Sequence, residues 1–220
     1  YGGAPELVAF ELLNEIIEPE VAEAWNQIAL HAIAEIRVFA PESWIIFGGV
    51  MYNNVLSVPM LAEVNDPKVA YTFHSYEPLI FTHQGAYWVD GMPSDFRIAY
   101  PNTIENYRES SKMLSQELAG AIFEGDLPEV GPAFFEALFQ PALKIAEERD
   151  IPLYCGEYGV IDLADNVSKI NWASDICAVL TSTASAERTG TIKKRITALS
   201  TFPIRMYREN WQQSCNGHNL

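Results

Sequence analysis

The sequence predicts an α/β fold built on a parallel sheet, and three observations predict it. Apolar runs of strand length alternate with segments of helical apolar spacing, each strand run ends abruptly in polar or glycine residues, and Pro or Gly marks the changes of pattern. Leu7-Val8-Ala9-Phe10-Glu11-Leu12-Leu13-Asn14-Glu15 is the first strand, almost continuously apolar, as expected for a parallel strand covered on both faces. From Glu20 the spacing turns helical, with Val21, Trp25, Ile28, Ala32, Ile36 and Phe39 on one face, and Pro41 stops the run. Residues 44–50 are the second strand, and residues 69–74, after Asp66-Pro67, the third.

Residues 75–102 form a long loop holding Tyr76, Phe81, Tyr87 and Trp88, and loops of this length in compact domains are usually functional. Helical patterns follow at about 103–123 and 133–149, their Glu-rich faces read as solvated. Residues 151–157 are the fourth strand. Residues 167–180 are helical, with Ile170, Trp172, Ile176 and Leu180 on the apolar side, and Trp25, Trp44 and Trp172 are expected in cores. Beyond Thr181 no period persists, so residues 1–181 are expected to be the folded part and 182–220 an out-of-pattern tail.

Asp and Glu number 29 against 14 Lys and Arg, a net charge of −15, and no basic stripe exists to neutralise phosphates. Nucleic acid and anionic membrane are therefore excluded as expected partners. No apolar run approaches the roughly 20 residues of a spanning helix, and the opening Tyr1-Gly2-Gly3 has no signal-peptide character. Cys155, Cys177 and Cys215 lack CxxC or metal-ligand spacing, so no disulfide framework or zinc site is expected, and Cys155 reads as a small buried hydrophobe.

Two carboxylates, Glu15 and Glu157, fall at the carboxyl ends of predicted parallel strands, the edge where α/β folds place their sites. Two carboxyl groups facing each other across a sugar are the machinery of glycoside hydrolysis. Asn14 could hold a sugar hydroxyl, Tyr76 could donate to a nucleophilic carboxylate, and His74 could orient either group. A lone Glu at a strand end is more often a surface carboxylate. Glu11, inside the first strand, is expected to be a buried, paired structural carboxylate.

The segments Phe10 to Ile16, Tyr71 to Trp88 and Gly156 to Gly159 resemble glycoside hydrolase family 5, in particular its bacterial endoglucanases. The resemblance covers Leu7 to about Leu180. It implies an incomplete (β/α)8 TIM barrel spanning about strands four to seven, with Glu15 as general acid/base, Glu157 as nucleophile, and Asn14, His74 and Tyr76 completing the catalytic group. It also implies substrate contacts from His83, Gln84 and Trp88, a retaining mechanism on β-1,4-glucan, no cofactor or metal, and secretion of the parent protein. Ile16-Ile17 departs from the family's usual Pro after the acid. The family's first three strands, with their Arg and His, would precede this chain, and its eighth strand is not visible after Thr181. Shifting the reading frame through residues 182–201 with suitable synonymous codons spells a segment similar to that strand, Trp included, so the tail is expected to be a frameshifted translation. An opened barrel invites a homo-oligomer that completes the sheet. The alternative expectation is a catalytically impaired half barrel that only binds carbohydrate or self-associates.

Overall fold

A computed structural model describes residues 5, 7–115, 119, 122 and 127–185. In chain order these form β1 (Ala9–Glu11), α1 (Ala22–Phe39), β2 (Trp44–Gly48), β3 (Val69–Ser75), α2 (Leu79–Thr82), α3 (Ile104–Ser111), α4 (Pro132–Glu148), β4 (Leu153–Tyr158) and α5 (Asn166–Ser185), with 3-10 turns at Pro19–Val21 and Val55–Met60. The four strands make one sheet in the order β1-β2-β3-β4, with β1 parallel to β2 and β2 parallel to β3. Sheet order follows chain order and helices intervene, which is the winding of a barrel segment rather than of a doubly wound sheet. The expected incomplete (β/α) barrel is what the chain forms.

The chain divides into two compact units, one holding the residues up to Ser75 with Phe139–Glu157, the other Tyr76–Leu138 with Tyr158–Ser182. In the first, one face of the sheet is a dry aromatic layer. Phe47 lies edge-on between Trp25 of α1 and Tyr71 of β3, with ring centroids 6.1 and 5.9 Å away, and Phe73 meets Phe139 of α4 at 5.2 Å. Burying each ring contributes about 1.5–3 kcal/mol. Arg37, in the last turn of α1, forms an ion pair with Asp66 at 2.6 Å and also donates to the carbonyls of Ala40, Ser43 and Lys68. One guanidinium thereby ties the helix end to the starts of β2 and β3. Burial pushes the Asp66 carboxyl up, but the hydrogen bonds and charge of Arg37, with the Lys68 amide, outweigh it and hold Asp66 below the usual range.

In the second unit Trp172 of α5 is fully buried, packs on Phe135 and Tyr158, and donates its indole N–H to Glu77 O at 2.9 Å. Tyr100 donates its hydroxyl to Asp175 at 2.7 Å and takes its backbone partner from Ser168 Oγ.

Several expectations need correction. The first strand is only three residues long and has an exposed-intermediate-exposed pattern, because β1 is an edge of the sheet among the described residues. Only β3, at the sheet interior, is buried along its whole length. The buried face of α1 is Trp25, Asn26, Ala29 and Ile33, while Ile28 and Phe39 are exposed. Trp44 is half-buried under Lys68 rather than in a core. Helix α3 ends at Ser111, and much of the remainder of the helix expected over about 103–123 lies outside the described residues. Helix α5 runs through Ser185, so the first residues assigned to the tail, 182–185, are helical. The remainder, 186–220, with the frameshift reading and Cys215, lies outside the described residues. No helix among the described residues is long and apolar enough to cross a membrane.

Candidate active site

The site is built at the carboxyl ends of the strands. The β1 ladder continues for one rung, from Leu12 N–H to Ile46 O at 3.1 Å, and the chain then leaves the sheet. Asn14 and Glu15 therefore stand in a loop beyond the strand, and Glu15 takes a left-handed φ of 42°. This conformation turns its carboxylate onto His74 Nδ1, 2.8 Å away. Glu157, near the end of β4, brings Oε2 to 3.7 Å from the same nitrogen. One oxygen of each glutamate and the His74 Nδ1 lie within 4.8 Å of one another.

Burial is graded across this group. The His74 side chain is 2% exposed, against 31% for Glu15 and 46% for Glu157. The imidazole is thus a fixed wall, and both carboxylates face the open side. Gly156 makes this possible, because a Cβ there would stand 2.9 Å from Thr72 Oγ1 and 3.5 Å from the His74 ring. The glycine before the nucleophile candidate lets β4 lie against β3 at the histidine.

Glu11 is not the buried, paired carboxylate expected of it. It is exposed on the edge strand. Partial desolvation nevertheless raises its pKa, with His74 pulling it down and Glu157 pushing it up. Glu11 therefore belongs to the electrostatic surroundings of the glutamate pair. The same three donors, Glu15, His74 and Glu157, are the one group among the described residues that could hold a metal ion.

Sequence reasoning missed the turn behind these groups. Met51, Tyr52 and Asn53 have φ of 57, 57 and 56°. Three successive left-handed L-residues cost roughly 1–2 kcal/mol each, least for Asn. Gly48-Gly49 followed by Asn53-Asn54 was the available signal.

The remaining candidates lie in the second unit. Tyr76 sits edge-on to His83 at 5.2 Å, His83 edge-on to Trp88 at 6.4 Å, and Trp88 edge-on to Tyr87 at 4.9 Å. Burial pulls the His83 pKa down to about 4, so the chain of rings is uncharged at neutral pH. Tyr87 and Trp88 are 89% and 60% exposed, while Ala86, Val89 and Met92 beside them are buried. The loop is thus anchored beneath its rings. Gln84 faces inward and is 1% exposed. Its Nε2 donates to Phe81 O and Ile98 O, and its Oε1 accepts from Ile98 N–H. That amide holds the loop closed across fourteen residues. The structure therefore brings Glu15, His74 and Glu157 together, leaves Asn14 exposed beside them, gathers Tyr76, His83 and Trp88 into a ring series, and turns Gln84 away from solvent.

The family described as Cellulase (glycosyl hydrolase family 5) matches residues 1–186. Endoglucanase C of Acetivibrio thermocellus is 34% identical over 176 residues, covering 80% of this chain and 50% of its own. Cellodextrinase A of Ruminococcus flavefaciens is 32% identical over 201 residues, 91% of this chain and 52% of its own. The fold is similar to that of a hyperthermophilic endo-beta-1,4-glucanase solved with substrate, with a TM-score of 0.68 at 20% identity, over 98% of this chain and 61% of that one. This chain spans about half the length of the curated relatives it matches.

Proposed function

Because the chain belongs to the cellulase family, glycosyl hydrolase family 5, we propose that it carries the two-glutamate centre of a retaining endo-β-1,4-glucanase. In this reading Glu157 attacks the anomeric carbon while Glu15 gives its proton to the departing glycosidic oxygen. A covalent glycosyl-enzyme forms on Glu157. Glu15, now a carboxylate, then takes a proton from the water that displaces the sugar and regenerates both groups. His74 keeps the Glu15 carboxyl aimed through its Nδ1 contact. Asn14, exposed next to the acid, is assigned to a sugar hydroxyl, Tyr76 to the part in the catalytic group that the family resemblance implies, and His83 and Trp88 to apolar faces of pyranose rings.

The observation that carries this reading is the spacing of the carboxylates. One oxygen of each carboxylate lying within 4.8 Å of the other supports the close retaining separation of about 5–5.5 Å over the about 6.5–9.5 Å of inverting enzymes. A 2-deoxy-2-fluoro cellobioside with an activated leaving group is the direct test. Peptide mass mapping is expected to find the adduct on Glu157, and an unlabelled protein would sink the proposal. Reducing-sugar release from carboxymethyl cellulose, lichenan, mannan and xylan then ranks the glycans, with the β-1,4-glucan expected first.

One observation favours a second reading, a half barrel that binds glucan or itself without turnover: the chain has four strands among its described residues and spans half the length of its relatives. Retained cellulose binding without any adduct selects it. Both readings include self-association at the β1 edge, where Leu7, Leu13 and Ile17 are at least half exposed. Light scattering is expected to give at least a dimer mass.

A further inference from the structure

Gly48 stands opposite Thr72, so regular pairing of β2 with β3 would put Val50 opposite His74; Asn54 stands there instead. The intervening chain loops out through Met51, Tyr52 and Asn53, all left-handed. This turn is pinned at three points. Tyr52 N–H donates to Ile16 O at 2.9 Å, one residue past Glu15. Asn53 O accepts the His74 N–H at 2.7 Å. Asn53 Oδ1 accepts the Gly49 N–H at 2.9 Å.

The Asn53 side chain is the part of the turn that the fold encloses. Asn53 is 1% exposed, and its amide covers Gly48, where an added Cβ would come within 2.8 Å of Oδ1. At Gly49 a Cβ would come within 2.3 Å of Ser57 Oγ. The two glycines thus leave the space that the amide and Ser57 occupy. Through its backbone the turn bonds His74 itself and Ile16, the residue that follows Glu15.

We propose that Asn53 is a positioning residue of the acid/base pair: its buried amide locks the left-handed turn whose N–H and C=O set the loop of Glu15 against the end of β3. Its catalytic consequence rests on the assignment of Glu15 as acid/base, but the geometric claim does not. Asn53 supplies no atom to the reaction. It acts by holding the 2.8 Å contact between His74 Nδ1 and Glu15, so its loss blunts proton delivery to the leaving group.

The test uses the full chain, labelled with 15N at histidine, with Asn53→Gly as the main variant. Glycine takes the left-handed φ without strain, so the variant isolates the amide. A buried imidazole N–H held on a carboxylate gives a downfield, exchange-protected proton signal, expected in the parent and lost or moved by more than about 1 ppm in Asn53→Gly. Turnover of an aryl cellobioside with a poor leaving group is expected to fall at least about tenfold, and that of the 2,4-dinitrophenyl glycoside less than about threefold, because an activated leaving group needs little acid assistance. A variant with a native-like melt, the parent imidazole signal and an unchanged leaving-group ratio overturns the proposal. Should Asn53→Gly fail to fold, amide exchange in the parent decides. The His74 N–H is expected to be as slow as the Tyr71 N–H, which bonds Pro152 O, and exchange about a hundredfold faster would mean a turn that opens by itself and sets nothing. A parent that forms no 2-fluoro adduct removes the glucanase reading and leaves the imidazole and exchange results to judge Asn53.

Discussion

The strand-end cluster of the first unit and the ring loop of the second are held by different physics. Glu15, His74 and Glu157 are charged or chargeable groups fixed by backbone: a strand end, a left-handed residue and a glycine contact. Tyr76, His83 and Trp88 are neutral rings on a loop fixed by two buried side chains, Thr82 on Tyr76 O and His83, and Gln84 across to Ile98. The first arrangement suits chemistry, which tolerates little displacement of the reacting groups. The second suits binding of a flat, uncharged face. Substitutions in the two places are therefore expected to differ in kind, and kinetics is the sharpest way to break the comparison. Glu157→Gln is expected to lower kcat by at least about a thousandfold with little change in KM, whereas Trp88→Ala is expected to raise KM about tenfold at nearly constant kcat. If Trp88→Ala lowered kcat and left KM alone, the division between the two regions would be wrong.

The bracing of the ring loop by the Gln84 amide gives the next largest effect. Gln84→Ala removes three hydrogen bonds and leaves the buried Phe81 O and the half-buried Ile98 O and N–H without that partner. A loss of about 2–4 kcal/mol and a Tm lower by about 5–10 °C are expected by calorimetry. By the same logic Trp88→Ala, which removes an exposed ring, should leave Tm nearly unchanged.

The order of strands and helices was legible because each strand run carries its own apolar signal and ends in polar groups, as Phe73-His74 and Cys155-Gly156-Glu157 do. Glu15, His74 and Glu157 were legible as strand-end residues for the same reason. What a run cannot report is its neighbours. Residues 7–15 look like a strand buried on both faces, yet among the described residues β1 has one partner strand and Glu11 is exposed, while Asn14 and Glu15 lie past the sheet. The apolar stripe of α1 was also misphased, since Trp25, Ala29 and Ile33 face inward and Phe39, drawn in by spacing alone, faces water. The sugar contact of Gln84 was implied by the family resemblance alone, and its inward, buried position could not be read from the sequence. The turn at Met51–Asn53 was legible only at its flanks, in Gly48-Gly49 and Asn53-Asn54, because Met and Tyr carry no left-handed preference; the surrounding contacts impose it.

The rings of the second unit should also reveal their burial through pH. His83 has a pKa near 4 in the folded chain against 6.5 for the free group, because burial disfavours its charged form. The unfolded chain therefore binds the extra proton in this window. The stability tied to neutral His83 is fully present above pH 6.5 and is lost as pH falls toward about 4. Thermal melts of the parent are expected to fall across that range more steeply than those of His83→Gln, by on the order of 5 °C at the acid end. Parallel curves would mean that the ring is solvated.

The smallest effect is expected at the exposed edge of the first unit. The Glu11 carboxyl is raised by desolvation first, with His74 lowering it and Glu157 raising it. A raised acid is ionised at neutral pH only at some expense to the fold, so its stabilising form is the protonated one. That contribution is complete below the unfolded value of 4.5 and is lost as pH rises through the higher folded value. Glu11→Gln is therefore expected to raise Tm at pH 7 by about 1–2 °C, a figure kept small by solvent screening at this exposed position, and to give no gain below pH 4.5. The comparison with His83 then rests on sign. Acid should erase the advantage of the Glu11 variant in the first unit and create one for the His83 variant in the second. If Glu11→Gln lowered Tm at pH 7, the carboxylate would be a net partner of His74 rather than a group strained by desolvation.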